Sequence, residues 1–151
     1  MSPEKKKIVE EFGATPIDYR FSSVEEYVAV STEGKGFDVV YDTVGGATLD
    51  ASFVAVKRYT GHVVSSLGWG THSLAPLSFR GASYSGVFTL LPLITGKGRA
   101  HHGEILARAA QLVEEGKLRP LLNERRFSID EIGAAHALVE AGALGKVVVE
   151  L

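Results

Sequence analysis

The stretch FDVVYDTVGG, residues 37–46, decides the fold class. It passes from an apolar, β-branched segment into a turn with two glycines, and this pattern predicts a strand at about 37–43 that is buried on both faces. In open parallel sheets, ligands bind just beyond the carboxyl ends of such strands, so Asp42 and Thr43 would lie at a ligand-binding edge. The same pattern is also typical of a plain core strand with a tight exit turn.

The composition is that of one ordinary soluble domain. The 151 residues are 45% hydrophobic and 23% charged, with a net charge of −2. A chain with this net charge is not expected to have the dense basic face that binding to nucleic acid or to an anionic membrane surface requires. No apolar run is long enough to span a membrane, and without cysteine the chain forms neither a disulfide nor a thiolate metal site. We therefore expect a cytoplasmic protein that binds neither nucleic acid nor membrane.

Strands and helices alternate through most of the chain. Ser2 is placed to cap a first helix, and Ser22 to cap a second. Further strands are predicted at 14–19, 62–67 and 82–88, and further helices at about 47–58 and 99–115. Pro16 cannot donate a ladder hydrogen bond, so the strand at 14–19 would lie at a sheet edge. This alternation predicts the α/β class with a parallel sheet.

The last third of the chain changes pattern. An extended segment at 118–127 surrounds Pro120, a capping box at Ser128 begins a helix, and a closing strand runs from 146 to 151. This strand–helix–strand piece interrupts the earlier rhythm. We expect it to dock elsewhere than on the parallel sheet.

Five segments, in this order, carry a family resemblance: FDVVYDTVGG (37–46), GHVVSSLG (61–68), EEGKLRPL (114–121), SIDEIGAAHALVEAG (128–142) and GKVVVEL (145–151). Together they resemble the C-terminal part of a medium-chain dehydrogenase/reductase, in the quinone-oxidoreductase branch that lacks zinc. The resemblance implies that residues 1–117 form part of a Rossmann-like parallel sheet flanked by helices. It implies that residues 118–151 return to the catalytic domain of the family.

The glycine-rich turn that binds pyrophosphate in this family is not recognisable. Gly68-Trp69-Gly70 is followed by Thr71-His72-Ser73, without a third glycine or a helix start. By the resemblance, the first two Rossmann strands and the N-terminal domain are missing as well. We therefore expect a piece of a longer enzyme, whose strands must pair anew, associate with a second copy or remain partly disordered.

One group of candidate residues follows from the resemblance at the start of the chain. Ser2, Lys5 and Tyr19 fall where the family surrounds the adenosine 2′-phosphate of NADPH. A helix N-terminus, an ammonium and a phenol suit a phosphate, so NADPH is expected rather than NADH. The alternatives are a solvated helix surface for Lys5 and packing at a strand edge for Tyr19.

The other candidates fall at strand ends and near the C-terminus. By the resemblance, Asp42, Thr43 and Val44 correspond to contacts with the nicotinamide side of the cofactor. Backbone groups at the ends of the next two strands would hold the ribose and the carboxamide, at Leu67, Gly68, Val87 and Phe88. Lys146 matches a C-terminal position that approaches the cofactor, and it is equally typical of a lysine on an edge strand.

The resemblance implies an NADPH-dependent oxidoreductase that passes hydride to a quinone, an activated alkene or a carbonyl. It also implies a homodimer that pairs through the strand near 82–88. No catalytic residue and no metal ligand is predicted, since adjacent histidines such as His101-His102 point about 100° apart on a helix. Without the pyrophosphate turn, the chain alone should bind NADPH weakly or not at all. Two alternatives remain open, a non-catalytic module that dimerises through the 82–88 strand and an α/β domain with an unrelated ligand.

Overall fold

Parallel strands form the sheet of the first of two units. In the computed structural model, which describes residues 2–151, the chain divides after Leu90. The first unit contains, in chain order, α1 (Pro3–Glu11), α2 (Val24–Thr32), β1 (Val39–Asp42), α3 (Ala47–Ala55), β2 (His62–Ser65), α4 (Ala75–Ser78) and β3 (Ser83–Gly86). Its strand order is β1-β2-β3, and both strand pairs are parallel. The predicted α/β class with a parallel sheet is confirmed.

The register of this sheet aligns the carboxyl ends of its strands. Asp42 lies opposite Ser65, and Ser65 lies opposite Gly86. Because all three strands run the same way, these residues share one edge of the sheet. We call this edge the ligand edge.

The core of the first unit lies between the sheet and α3. Its fully buried side chains are Leu49, Phe53, Val56 and Val63, and Leu77 of α4 completes the cluster. The Phe53 ring meets the Tyr84 ring edge to face, with centroids 5.9 Å apart. Apolar packing beneath the strands therefore holds the ligand edge in place.

The prediction that the strand at 37–43 is buried on both faces is wrong. Val39 and Tyr41 are 65% and 62% exposed, whereas Val40 packs against the core and Asp42 is buried. β1 is the end strand of the sheet, and its side chains alternate between the α3 side and the open side. An unbroken apolar run cannot distinguish a strand covered on one face from a strand covered on both.

The strand predicted at 14–19 does not form. The Ala14 amide donates to the Val9 carbonyl at 3.1 Å, which extends the end of α1. Pro16 has no amide to donate, and no strand of the described chain pairs with this segment. An extended segment without a ladder partner is a loop, whatever its residue pattern.

The helix caps follow the predictions with one shift. Ser2 accepts a hydrogen bond from the Lys5 amide, which confirms the first cap. The box predicted at Ser22 lies one residue later, where Ser23 and Glu26 bond each other's backbone amides at 2.8 and 3.2 Å. The sequence SSVEE fits both registers, so spacing alone could not separate them.

The second unit spans Leu91–Leu151 and has a much smaller core. Its elements are α5 (Leu90–Thr95, starting at the boundary), α6 (Arg99–Glu114), β4 (Leu122–Ser128), a 3₁₀ turn (Ile129–Glu131), α7 (Ile132–Glu140) and β5 (Lys146–Glu150). β4 and β5 pair in parallel, and Phe127 and Ala135 are buried between them and α7. The predicted strand–helix–strand segment and the capping box at Ser128 are confirmed.

The structural units divide after Leu90, and the predicted functional boundary at residue 117 stays a prediction. None of the helices described in residues 2–151 has both the length and the apolar character needed to cross a bilayer.

Candidate functional site

Asp42 is the last residue of β1, at the carboxyl end of the strand. Its side chain is 3% exposed and accepts hydrogen bonds from the Val44 amide at 3.2 Å and from the Gly45 amide at 3.1 Å. It accepts a third bond from the Ser65 hydroxyl of β2 at 2.7 Å. A buried carboxylate with three donors holds both the turn after β1 and the neighbouring strand end.

Ser65 extends this bonding to the other strands. Its hydroxyl donates to Asp42 and accepts from the Leu67 amide at 3.1 Å, while its carbonyl accepts from the Val87 amide at 2.8 Å. One serine therefore links the turns that follow β1, β2 and β3. Sequence reasoning missed Ser65, because its carboxylate partner lies 23 residues away and no local spacing marks the pair.

Gly45 lets two of these turns approach each other. It has φ 75°, and a Cβ at this position would collide with the Leu67 carbonyl. Only glycine combines this backbone conformation with so close an approach. Gly68 is also tightly packed, because a Cβ there would meet the Tyr84 hydroxyl. The predicted residues Val44, Leu67 and Gly68 are thus brought to one edge.

A cleft lies beside the ligand edge, between α2, α3 and the loop that precedes α2. Its volume is about 690 Å³, and its lining includes Tyr19, Glu25, Tyr27, Val44, Thr48 and Ala51. Two predicted cofactor residues, Tyr19 and Val44, meet in this cleft. Burial raises the pKa of the Tyr27 phenol, and the negative charge of Glu25 raises it further.

An aromatic pair covers part of the same edge. The Trp69 ring meets the Phe88 ring edge to face at 6.0 Å, and the two side chains are 68% and 46% exposed. Val87 is 39% exposed beside them, and Thr43 is exposed in the turn after β1. These predicted positions lie at the surface of the ligand edge and leave it open to solvent.

His72 forms a pair with Asp50 in the loop that follows β2. Its Nδ1 lies 2.8 Å from Asp50 Oδ1, and since a carboxylate only accepts, we assign the proton to Nδ1. Nε2 is buried and has no partner within residues 2–151. Sequence reasoning found no partner for His72, because Asp50 lies 22 residues earlier on α3.

The remaining candidates belong to α1 and to β5. Ser2 caps α1, and its hydroxyl accepts from the Lys5 amide at 3.3 Å. Lys6 and Lys7 pair with glutamates one turn later, whereas no ion pair joins the Lys5 ammonium to another residue of the described chain. Lys146 belongs to the second unit, where it is exposed on β5 and its amide donates to the Leu121 carbonyl at 2.8 Å.

The fold of this chain is also found in known proteins. The family model described as "Zinc-binding dehydrogenase" matches residues 12–149. The chain belongs to this family. The match confirms the predicted resemblance to the medium-chain dehydrogenase/reductases.

Three similar proteins are each longer than this chain. An alcohol dehydrogenase superfamily protein from Novosphingobium aromaticivorans is 52% identical, with a TM-score of 0.93, over 99% of this chain and 46% of that chain. The quinone oxidoreductase of Pseudomonas syringae pv. Tomato DC3000 shares the fold, with 22% identity and a TM-score of 0.75 over 99% of this chain and 47% of that one. A highly reducing polyketide synthase from Emericella nidulans is 28% identical over 99% of this chain and 6% of its own length. The chain thus spans about half of each solved relative and a small part of the synthase.

The family description names zinc, but the donor set of the described chain does not fit that ion. Zinc sites in proteins are built from Cys, His, Asp and Glu side chains that converge on one point. The sequence contains no cysteine, and within residues 2–151 no three His, Asp or Glu side chains are grouped to hold a metal ion. The zinc of the family description therefore has no ligand set among these residues.

Proposed function

We propose that the chain is the cofactor-binding region of an NADPH-dependent oxidoreductase of the quinone or enone reductase type, and that it is part of a longer enzyme. The observation that carries this proposal is the Asp42–Ser65 bond, which fixes the turns at the carboxyl ends of parallel strands beside an open cleft. Nucleotides bind at such an edge in open α/β sheets. Family membership and the fold shared with a quinone oxidoreductase support the reaction type.

The cleft suits the adenosine half of the cofactor. Its volume of about 690 Å³ lies within the range of small-molecule sites, and its lining is largely apolar and aromatic. Because Val44 shares this cleft with Tyr19, we assign Val44 to the adenosine half rather than to the nicotinamide half. Ser2 and Lys5, at the N-terminus of α1, are proposed to bind the 2′-phosphate.

The nicotinamide half is proposed to lie along the ends of β2 and β3. The residues assigned to it are Thr43, Leu67, Gly68, Val87 and Phe88, with Lys146 as a further contact to the cofactor. The bound cofactor supplies the hydride, and the chain holds the nicotinamide ring and excludes water from it. The Asp42 carboxylate already accepts three hydrogen bonds, so it acts by positioning the turn backbone rather than by touching the cofactor.

The cofactor assignment is tested by titrating the isotope-labelled chain with NADPH and with NADH. We expect amide resonances at 19, 43–44, 67–68 and 87–88 to shift. We expect binding to be much weaker than a micromolar dissociation constant, which corresponds to about −8 kcal/mol. Lys5→Gln should reduce the preference for NADPH, whereas Lys7→Gln, a residue on the same helix that pairs with Glu11, should not. Absence of any shift at these residues would contradict the proposed site. Micromolar affinity would contradict the expectation that the chain holds only part of it.

A second candidate function is that of an association module. All four residues of β3 are exposed, and β3 pairs only with β2 among residues 2–151, which leaves a free edge. A second copy could extend the sheet there across a twofold axis. Size-exclusion chromatography with light scattering tests this function. A dimer that is lost when Ser85 is replaced by proline would support it, and a monomer at high concentration would exclude it.

The cytoplasmic location is part of the same proposal. Its support is the absence of cysteine from the sequence, which fits a reducing compartment. Fractionation of cells that express a tagged chain tests it directly.

A further inference from the structure

We infer that Glu25 makes the cleft selective for a base that presents an amino group, which means adenine rather than its 6-oxo counterpart. The inference rests on the proposed function, since it takes the cleft as the adenosine site. It adds a specificity-determining residue to that site.

Glu25 lines the cleft from the first turn of α2, together with Tyr19 and Tyr27. No hydrogen bond or ion pair within residues 2–151 engages its carboxylate. The next residue differs, because the Glu26 carboxylate accepts the Ser23 amide at 2.8 Å in the capping box. Of two adjacent glutamates, Glu26 is therefore committed to the helix cap and Glu25 is available to a ligand.

The charge of Glu25 is not neutralised by the cleft lining. None of the residues that line the cleft is a lysine or an arginine. Arg80 shares a smaller pocket with Glu25, but its guanidinium donates to the Val56 carbonyl at 3.2 Å and forms no ion pair with Glu25. The Glu25 side chain is exposed at the cleft, and its charge adds to the burial that raises the pKa of Tyr27, a second residue of the lining.

The chemistry of a carboxylate sets the direction of the preference. An ionised carboxylate accepts hydrogen bonds and donates none, so it can bind the exocyclic amine of adenine. At position 6 inosine presents an acceptor, which repels a carboxylate, and the donor on this edge of inosine is the neighbouring N1–H. The inference therefore places the Glu25 carboxylate against position 6 of the base. Tyr19 and Tyr27 offer aromatic surface for a planar base of either kind, so they add affinity without discriminating between the two bases.

The test compares adenosine with inosine, which differ only at this edge of the base. Each nucleoside is titrated into the isotope-labelled full chain, and the amide shifts of Val44, Thr48 and Ala51 give the two dissociation constants. We expect adenosine to bind about fivefold more tightly than inosine. Glu25→Gln should bring this ratio to about one, because an amide both donates and accepts and therefore suits either base.

The matched control is Glu26→Gln, which makes the same change of charge one residue away. Glutamine still serves in a capping box, so α2 keeps its start and the ratio should remain about fivefold. Equal affinities in the wild-type chain, or a ratio that survives Glu25→Gln, would overturn the inference while leaving an adenosine site in place. No shift with either nucleoside would overturn the adenosine site itself, and the inference with it.

Discussion

The two units of the molecule are built from the same kinds of element but are stabilised in different ways. The first unit buries a cluster of apolar side chains, and it also buries the hydrogen-bonded Asp42 side chain at the end of β1. Residues 91–151 bury Phe127 and Ala135, and the 16-residue helix α6 has no buried residue at all. The comparison teaches that the ligand edge has a packed apolar cluster beneath it, whereas the second unit buries few side chains.

The largest expected effect comes from the packing of the first unit. Phe53→Ala should lower the free energy of unfolding by about 3–5 kcal/mol, because it leaves a cavity beneath β2 and removes the contact with Tyr84. Urea denaturation followed by circular dichroism measures the loss. Phe79→Ala is the control, since Phe79 is 82% exposed and should change stability little. A loss below about 1 kcal/mol at Phe53 would mean that packing does not hold the ligand edge.

The next effect comes from the buried carboxylate at the ligand edge. Asp42→Ala leaves the Val44 and Gly45 amides and the Ser65 hydroxyl without their acceptor, which should cost about 1–3 kcal/mol. Amide hydrogen exchange should accelerate first in the turn at 43–46 and at Leu67. Asp38→Ala is the matched control, because Asp38 is exposed and its carboxylate pairs with Lys57 at the surface. Uniform acceleration across the sheet would show that Asp42 stabilises the fold generally and has no special part in the edge.

A smaller effect is expected at high pH in the first unit. The pKa of Tyr27 is raised, first by burial and then by the Glu25 charge, so the folded state favours the neutral phenol. This contribution is fully present below the ordinary tyrosine pKa and is lost as the pH rises through the higher folded value. Tyr27→Phe should therefore flatten the alkaline fall in stability. Tyr59→Phe, at an 83% exposed position, should leave the fall unchanged.

The smallest effect is expected at low pH in the second unit. The Ser128 amide donates to Glu131 at 3.0 Å and lowers the pKa of that carboxyl, and the nearby Arg125 lowers it further. The stabilisation is present above the ordinary glutamate pKa and is lost as the pH falls through the lower folded value. Acid should therefore speed hydrogen exchange at the start of α7. Glu131→Gln, which keeps a capping partner, should remove this pH dependence, whereas Glu140→Gln should not.

Local patterns predicted the elements of the fold well. Capping residues, glycine stops and apolar runs located α1, α3, α6 and β2 to within a few residues, because each of these signals lies inside the segment that it describes. The order of five short segments predicted the family, and the family model confirms it. The strand at 14–19 failed because a strand requires a partner, and no local pattern shows whether one is present.

The chemistry of the site was less predictable for the same reason. Asp42 was singled out from its place at a strand end, but Ser65 and the pairing of His72 with Asp50 were not. These contacts join residues that are 22 or 23 positions apart, and they depend on the register of parallel strands and on the path of a loop. Spacing along a chain reports contacts within a helix turn or a hairpin, and it carries no information about such pairs.

The exposed Trp69 has a consequence for spectroscopy. It is the single tryptophan of the chain, it is 68% exposed, and it stands on the loop after β2 against Phe88. An indole that is already in contact with water changes its emission colour little when the protein unfolds. The same indole should shift to shorter wavelength when a ligand or a second chain covers the loop. The intrinsic fluorescence of this protein therefore reports its unfolding poorly, whereas it reports binding at the ligand edge directly.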